Sequence, residues 1–212
     1  MKPLVQICGI TSMDDAALCS SLGADALGFV NVEGRSRYLS LDHIKKAVGK
    51  VGEEVTSTLI TFSRDVQEII RCGTYTKVDA LQVYGVDHDA IGEIQEAGFE
   101  VISTILVDPE TGLPKVGKDE FKRFANSADL VLLEPVNEGK IGGLGHDYDY
   151  SVLRPLLEHE GRFGVAGGLS PDNVHQALKL NPYAVHVSSG VESVKGRKDS
   201  IKVKEFIKKV KT

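Results

Sequence analysis

Short apolar runs alternate along this chain with longer stretches in which apolar residues recur every three or four positions. The short runs are typical of buried strands, and the three-to-four spacing is typical of amphipathic helices. Strands that alternate with helices favour a parallel sheet. Eight strand-then-helix units occupy nearly all of the 212 residues, which predicts an α/β fold of the TIM-barrel type, a closed (β/α)8 barrel with eight parallel strands.

The same pattern gives the approximate boundaries of the elements. The predicted strands are residues 4–8, 25–30, 55–61, 79–84, 100–106, 129–134, 162–166 and 184–188. The predicted helices are residues 13–22, 41–49, 64–72, 88–97, 117–127, 150–159, 172–180 and 197–210. No linker or shift in composition divides the chain, so residues 1–212 are predicted to form a single domain.

Glycine and serine mark several predicted helix ends. Gly23, Gly73 and Gly98 each follow a helical stretch and precede a strand. Because glycine readily adopts the left-handed conformation that closes many helices, each is predicted to end its helix. The seventh helix is predicted to begin at Ser170-Pro171, since serine is a favoured N-cap and proline a favoured first helical residue.

Four predicted strands carry polar residues on the inner face of the barrel. Alternate residues of a barrel strand face the interior and the helices. Val5 and Ile7 suit the helix layer, which leaves Gln6 and Cys8 for the interior. A buried polar group without a partner costs about 1–3 kcal/mol, so this convergence indicates a ligand site. The inward polar residues of the other strands are Gln82, Tyr84, Glu134, His186 and Ser188.

Glycine-containing turns follow the last two predicted strands. They are Ala166-Gly167-Gly168-Leu169 and Ser188-Ser189-Gly190-Val191-Glu192. In TIM barrels the active site lies at the C-terminal ends of the strands, and a phosphate site often follows strands 7 and 8. Glycine also allows backbone N–H groups to approach an anion closely. The turns therefore predict a phosphorylated ligand, with tight connections that bind nothing as the alternative.

Composition limits the partners and the compartment. The net charge of -5 argues against nucleic acid as a main partner, because a polyanion requires a basic surface. The three cysteines, Cys8, Cys19 and Cys72, have neither paired nor metal-ligand spacing, which favours a reducing compartment and no metal site. The start of the chain runs directly into a strand, and no apolar stretch approaches the roughly 20 residues of a membrane span. We expect a cytoplasmic monomer or homodimer without a membrane partner.

A series of short motifs runs through the chain in a fixed order, beginning with Gln6-Ile7-Cys8-Gly9-Ile10-Thr11. Each motif is weak by itself. In this order, however, they resemble the strands and loops of the phosphoribosylanthranilate isomerase family of tryptophan biosynthesis over nearly the whole chain. The further motifs are residues 23–29, 36–38, 81–85, 142–145, 166–174 and 187–192.

The resemblance implies an Amadori rearrangement, in which N-(5′-phosphoribosyl)anthranilate opens and becomes 1-(2-carboxyphenylamino)-1-deoxyribulose 5-phosphate. A general acid protonates the ring oxygen, and a general base removes the C2 proton of the resulting imine. The resemblance implies Cys8 as the base, Glu134 as the acid, Arg37 as the ligand of the anthranilate carboxylate, and no cofactor. The implied phosphate ligands are Gly143, Gly167, Gly168, Ser189 and Gly190, and the other implied substrate contacts are Gln82, Tyr84 and His186.

Four pocket positions depart from the family pattern. The family usually has lysine at Gln6, histidine at Tyr84, and aspartate at both Glu134 and His186. These departures leave two alternatives to a tryptophan-pathway isomerase. One is a paralogue that binds a sugar phosphate or an anthranilate-like ligand with little catalysis. The other is an isomerase or epimerase of another phosphorylated sugar. This alternative ranks last, because a substrate of that kind with two phosphates would need a second phosphate site and strands 3 and 4 show no second glycine turn.

Several polar residues near the predicted site have a purely structural interpretation. Arg35 is interpreted as a solvated loop charge, His146 as incidental, and the Lys/Glu pattern of 195–211 as a solvated helix face. Asp149 matches the family motif but equally fits the N-cap of the sixth helix. Cys19 and Cys72 lie in helical patterns and are interpreted as structural.

Overall fold

The predicted closed barrel of eight parallel strands is confirmed. The computed structural model describes residues 2–137, 140–141, 149–159 and 161–212. The barrel strands are β1 (Leu4–Cys8), β2 (Ala26–Val30), β3 (Thr56–Ile60), β4 (Ala80–Tyr84), β5 (Glu100–Val107), β6 (Leu130–Asn137), β7 (Phe163–Val165) and β8 (Ala184–Val187). Each strand pairs with its neighbour in chain order, and β8 pairs with β1 to close the ring.

Helices connect the strands. They are α1 (Met13–Ser21), α2 (Leu41–Val48), α3 (Val66–Thr76), α4 (His88–Glu96), α5 (Lys118–Ser127), α6 (Arg154–Leu157), α7 (Val174–Leu178) and α8 (Ser200–Lys211). Single 3-10 turns occupy Tyr150–Leu153 and Ser189–Val191. Glu192–Val194 and Arg197–Lys198 form a small antiparallel hairpin after β8. Within the described ranges, no helix has both the length and the apolar character needed to cross a membrane.

Two of the three predicted glycine helix ends are confirmed. Gly23 and Gly98 follow α1 and α4 with φ of 91° and 95°. The prediction for Gly73 is wrong, because α3 continues to Thr76 and is closed by Lys77 with φ of 60°. A Cβ on Gly73 would lie 2.9 Å from the ring of Phe99. This glycine therefore serves close packing inside the helix.

Three helices are shorter than predicted by more than one residue. The sixth begins as the 3-10 turn and continues as α6 for only four residues. In the seventh unit, Ser170 Oγ accepts from the Asp172 N–H over 3.2 Å, but regular α7 begins only at Val174. Helix α8 begins at Ser200 rather than 197, because Asp199 caps it and the preceding residues belong to the hairpin.

The predicted strand parity is confirmed on β1. Val5 and Ile7 belong to the large apolar core between strands and helices, whereas Gln6 faces inward and pairs in register with His186 of β8. A small second cluster belongs to the barrel interior, and other inward positions are polar. The members of the inner cluster are Ile102, Leu130, Leu132, Ala166 and Ala184.

Candidate active site

A cavity of about 550 Å³ opens at the C-terminal ends of the barrel strands, where active sites of this fold lie. Gly143 lies outside the described residues. Gly190 is not part of the cavity lining, and a Cβ at this position would overlap the Leu169 carbonyl oxygen. The structure brings the other predicted site residues together around the cavity: Cys8, Arg37, Gln82, Tyr84, Glu134, Gly167, Gly168, His186 and Ser189.

Cys8 ends β1 and carries the proposed basic thiol. The Gln6 amide donates from Nε2 to Cys8 Sγ over 3.2 Å. Burial raises the pKa of Cys8 to about 11, although the Gln6 hydrogen bond and the charges of Lys198 and Arg37 act in the opposite direction. The thiol is therefore protonated at neutral pH in the unliganded site, and the thiolate, once formed, is a strong base.

A line of buried hydrogen bonds joins Gln6 on β1 to Glu134 on β6. Gln6 Nε2 donates to Gln82 Oε1 over 3.2 Å, and Gln82 Nε2 donates to the Tyr84 hydroxyl oxygen over 3.1 Å. The Tyr84 hydroxyl donates to Glu134 Oε2 over 2.8 Å. Gln6 and Gln82 are each only 2% exposed. The inward polar residues thus satisfy one another as well as lining the cavity.

Glu134 combines burial with one strong hydrogen bond. Burial raises the pKa of its carboxyl group, and the Tyr84 hydrogen bond and the charge of Arg35 limit the rise. A carboxyl group with a raised pKa can hold a proton closer to neutral pH and release it to a substrate. This is the behaviour that a general acid requires.

His186 is a neutral hydrogen-bonding group in the cavity wall. It is 4% exposed, and burial lowers its pKa to about 3. Its Nδ1 atom is buried and meets no hydrogen-bond partner among the described residues. Because an unsatisfied buried polar atom is costly, a ligand group that reached this nitrogen would stabilise the site.

Arg37 is held by an ion-pair cluster at the mouth of the barrel. Its Nε and Nη2 atoms donate to the two carboxylate oxygens of Glu192, each over 2.7 Å. Lys198 Nζ donates to the same carboxylate over 3.0 Å and to the Ser188 carbonyl over 3.2 Å. Burial tends to raise the pKa of Glu192, but these two cations outweigh it and lower the pKa. Two cations facing one carboxylate leave the cluster net positive.

The interpretation of residues 195–211 as a solvated face is wrong for Lys198, whose side chain is fully buried. The first residues of this lysine-rich run belong to the hairpin and not to the surface of a helix. The available signal is Gly196, since a glycine inside a helical pattern indicates a turn. The pairing of Glu192 with Arg37, by contrast, joins residues 155 positions apart and has no local signal.

An aromatic wall lies beside Glu134. The Phe62 and Tyr84 rings are 4.4 Å apart between centroids, and the Arg35 guanidinium lies 5.1 Å from the Phe62 centroid. Arg35 is exposed, as predicted, but it also lines the cavity. Phe62 could have been found from the parity of β3, because it continues the inward alternation of Thr58 and Ile60.

The turn after β7 is braced from outside. Gly167 and Gly168 have φ of 88° and 67°, in the left-handed region that favours glycine. The Gly167 carbonyl accepts from the Tyr150 hydroxyl, and the Gly168 carbonyl accepts from Asn173 Nδ2 over 2.9 Å. Sequence reasoning missed these roles of Tyr150 and Asn173, because both act through contacts with the backbone of the turn.

Free backbone donors remain at both glycine turns. The N–H groups of Gly167, Gly168, Ser189 and Gly190 donate to none of the described residues. Converging free N–H groups suit the oxygens of a phosphate. The two turns follow the adjacent strands β7 and β8, which pair in the barrel.

Asp149 is the N-cap of the 3-10 turn, where its Oδ1 accepts from the Ser151 N–H over 2.9 Å. This contact agrees with the interpretation of Asp149 as a helix N-cap. Across the part of the chain that the structure describes, no group of three or more His, Cys, Asp and Glu side chains is arranged to hold a metal ion.

Comparison with known proteins gives consistent matches over almost the full chain. The family model for N-(5′-phosphoribosyl)anthranilate (PRA) isomerase matches residues 5–209. The N-(5′-phosphoribosyl)anthranilate isomerase of Methanothrix thermoacetophila is 37% identical over 213 residues, covering 98% of each chain.

Solved structures of the same kind superpose closely. Phosphoribosyl anthranilate isomerase from Thermotoga maritima has a TM-score of 0.85 and 29% identity, covering 99% of this chain and 98% of that one. A crystal structure of phosphoribosyl anthranilate isomerase in complex with reduced 1-(o-carboxyphenylamino)-1-deoxyribulose 5-phosphate has a TM-score of 0.81 and 28% identity, with the same coverage. The Thermotoga maritima protein is also described as dimeric.

Proposed function

This chain belongs to the N-(5′-phosphoribosyl)anthranilate isomerase family, and we propose that its cavity performs the family reaction with Cys8 as the general base and Glu134 as the general acid. The chain is an isomerase that converts N-(5′-phosphoribosyl)anthranilate to 1-(2-carboxyphenylamino)-1-deoxyribulose 5-phosphate in tryptophan biosynthesis. The observation that carries the assignment of roles is the placement of a thiol and a carboxyl group with raised pKa values in one cavity.

In the first step, protonated Glu134 donates its proton to the ring oxygen of the substrate. The C1–O bond breaks, the ring oxygen becomes the C4 hydroxyl, and the lone pair of the anilino nitrogen forms a C=N bond. Burial favours the protonated form of Glu134 that this step needs. The product of the step is an open-chain iminium ion.

In the second step, the Cys8 thiolate removes the proton from C2. The electron pair of the C–H bond forms a C1=C2 double bond, and the nitrogen takes back its lone pair. The resulting enolamine becomes the ketose by transfer of the C2 hydroxyl proton to C1. The high pKa of Cys8 makes its thiolate a strong enough base for a carbon acid.

The phosphate of the substrate is proposed to bind between the turns at Gly167-Gly168 and Ser189-Gly190. The support is the set of four free backbone N–H groups at these turns. Gly143 keeps its proposed phosphate role from the resemblance alone. Lys195 lines the same cavity and adds a positive charge at its edge.

Arg37 is proposed to bind the anthranilate carboxylate with its outer edge. Glu192 engages Nε and Nη2, which leaves Nη1 and the second Nη2 proton for a ligand. The excess positive charge of Arg37 and Lys198 over Glu192 favours an anion there. His186 and Tyr84 are proposed to contact the sugar and aromatic parts. Gln82 is proposed to act through its neighbours, because both of its amide protons are already donated.

The remaining proposals concern the whole chain. We infer that it forms one domain over residues 1–212, works in the cytoplasm as expected for a biosynthetic enzyme, and is a monomer or a homodimer. A dimeric relative supports the second possibility. The net charge of -5 continues to argue against nucleic acid as a main partner.

A genetic test addresses the function. Expressed in a tryptophan auxotroph that lacks the isomerase, the chain is expected to restore growth without tryptophan, whereas Cys8→Ser and Glu134→Gln are expected not to. Absence of growth with folded, expressed wild-type protein would contradict the assignment. In that case, binding of the reduced product analogue without turnover would identify the ligand-binding paralogue instead.

A further inference from the structure

We propose that Tyr84 is a positioning residue that selects the oxygen of Glu134 on which the catalytic proton is carried, and that Gln6 and Gln82 join this device to Cys8 in one directional hydrogen-bond network. The inference rests on the proposed roles of Cys8 and Glu134. It also explains why Tyr84, Gln6 and Gln82, which lie on the inner face of the barrel, are hydrogen-bonding residues.

The direction of the network is set at β3. Thr58 Oγ1 donates to Gln6 Oε1 over 3.1 Å, which orients the Gln6 amide with its nitrogen toward Cys8 and Gln82. Gln6 Nε2 then donates to Cys8 Sγ and to Gln82 Oε1, both over 3.2 Å. Because the oxygen of each amide is an acceptor, its nitrogen must act as the donor to the next group.

The directional hydrogen bonds continue to the acid. Gln82 Nε2 donates to the Tyr84 hydroxyl oxygen over 3.1 Å and to Thr104 Oγ1 over 3.2 Å. The Tyr84 oxygen therefore acts as an acceptor toward Gln82, and its single proton is directed to Glu134 Oε2 over 2.8 Å. The contact between the Tyr84 and Phe62 rings holds the phenol in this orientation.

This arrangement makes the two oxygens of Glu134 unequal. Oε2 accepts from Tyr84, whereas Oε1 receives no hydrogen bond from the described residues. When Glu134 is protonated, Oε2 remains the acceptor for the phenol, and the proton resides on Oε1. Glu134 lines the cavity, so Oε1 is the atom available to give that proton to the substrate ring oxygen.

At its other end the network serves the base. The Gln6 N–H donates to Cys8 Sγ and stabilises the thiolate relative to the thiol. Amide N–H groups do not give up protons at neutral pH, so the network orients and stabilises both ends without carrying a proton between them. Proton exchange after each turnover therefore takes place with solvent.

The first test is Tyr84→Phe, which removes only the hydroxyl. We expect kcat to fall about 10- to 100-fold, in the range of a misplaced general acid, with KM changed less than about threefold. The acid limb of the pH–kcat profile should move to higher pH, because the Tyr84 hydrogen bond lowers the pKa of Glu134. The other charged or titratable groups around the cavity are Cys8, Arg35, Arg37, His186, Glu192, Lys195 and Lys198.

The matched control is Tyr75→Phe. Tyr75 on α3 also donates its hydroxyl proton to a carboxylate, that of Asp42, but on the outer surface of the barrel. It should leave kcat, KM and the pH profile unchanged. If Tyr84→Phe matches Tyr75→Phe while the wild type turns over phosphoribosylanthranilate, the positioning role is wrong and the proposed function stands. If the wild type shows no turnover, the proposed function itself is wrong.

The second test probes the Cys8 end. In Gln6→Met, loss of the amide donor should lower the rate of Cys8 alkylation by iodoacetamide at pH 9 by about threefold or more, measured at the Cys8 peptide. Gln67→Met on the exposed face of α3 is the control, because Gln67 also loses an amide hydrogen bond. If Gln6→Met does not fold, Gln6→Asn withdraws the same amide by one carbon. An unchanged alkylation rate in a folded variant would overturn this part of the network.

The third test asks whether the two ends belong to one network. The double variant Gln6→Met/Tyr84→Phe should lose less kcat than the product of the two single losses, since either change breaks the same line of hydrogen bonds. Losses that multiply would mean that the two residues act independently, and the single network would be rejected.

Discussion

At the residue scale, the ionisation of Cys8 and Glu134 determines how the site works. The reacting form has a proton on Glu134 and none on Cys8. It has the same number of protons as the form in which Cys8 is protonated and Glu134 is ionised. The population of the reacting form is therefore constant with pH between the two pKa values, and these belong to a coupled pair.

The ionisation of Cys8 sets the alkaline limb of kcat/KM. Because burial raises the pKa of Cys8 to about 11, kcat/KM should stay flat through pH 9.5 and decline only near pH 11. Above that pH the thiolate dominates, but protonated Glu134 becomes rare. A decline already near pH 8.5, the value of an ordinary thiol, would show that Cys8 is not buried as described or is not the base.

Glu134 allows a test of how closely the pocket fits its acid. Glu134→Gln should lower kcat at least about 100-fold, since an amide cannot donate the proton. Glu134→Asp should also lose activity, because a side chain shorter by one carbon withdraws from the Tyr84 hydroxyl that now lies 2.8 Å away.

Glu205→Gln on the exposed face of α8 is the control for both changes, and steady-state kinetics is the measurement. A gain in turnover for Glu134→Asp would mean that the longer side chain is a defect and that the pocket has not adjusted to it.

At the element scale, the turns after β7 and β8 and the hairpin that follows them supply the binding groups. Gly167 is a constrained position of the first turn, with φ of 88° and Pro135 Cγ only 2.5 Å from where a Cβ would lie. Tyr150 and Asn173 secure the carbonyl side of this turn. The turn is thus preorganised, with its N–H groups left for the ligand.

Gly167→Ala should raise KM about tenfold or more, because the strained turn must shift its N–H groups away from the phosphate. Gly161→Ala is the control. Gly161 also has a positive φ of 124°, and its Cβ would meet the Ala125 carbonyl at 2.6 Å, but it precedes β7 at the opposite end of the barrel. Both variants should be less stable in urea unfolding. An equal effect of both on KM would remove the phosphate role from Gly167.

The hairpin contributes the buried Lys198. Lys198→Met should lower the free energy of unfolding by about 2 kcal/mol, below the 3–5 kcal/mol of a fully unpaired buried charge, because Arg37 still neutralises Glu192. It should also weaken binding of the reduced product analogue, since the cluster loses its excess positive charge. Lys209→Met on the exposed face of α8 is the control. Unchanged stability and affinity in Lys198→Met would contradict the role of the cluster.

The sequence predicts periodic features better than it predicts pairings. Local alternation of apolar and polar residues predicts the strands, their parity and the inward placement of Gln6 and Cys8. This alternation is a property of each strand alone and is the same in the folded barrel. The sequence pattern predicts the roles of Gly73 and Lys198 wrongly, because these roles depend on partners outside their own segments. Gly73 packs against Phe99, and Lys198 pairs with Glu192. The bond between Tyr84 and Glu134 joins residues 50 positions apart, and only the closed barrel brings them together.

At the scale of the whole molecule, closure of the barrel brings the catalytic side chains of distant strands together and also links the two ends of the chain. The line of hydrogen bonds from Cys8 to Glu134 uses side chains of β1, β4 and β6, with supports from β3 and β5. The two ends of the chain are tied together at the seam, where Lys211 Nζ of α8 lies 2.7 Å from Asp25 and 3.0 Å from the Pro3 carbonyl. Most of the apolar core lies in the layer between the barrel strands and the helices. The cavity inside the barrel can therefore carry polar residues without weakening that core.

The most direct test of the central claim is steady-state turnover of freshly prepared phosphoribosylanthranilate by the purified chain, followed by the loss of substrate fluorescence. Cys8→Ser and Glu134→Gln, checked for folding by circular dichroism, are measured in parallel. We predict saturable turnover by the wild type and a loss of at least about 100-fold in kcat for each variant, with affinity for the reduced product analogue nearly unchanged. Wild-type turnover that survives in either variant would contradict the assigned acid and base, and no wild-type turnover would contradict the function.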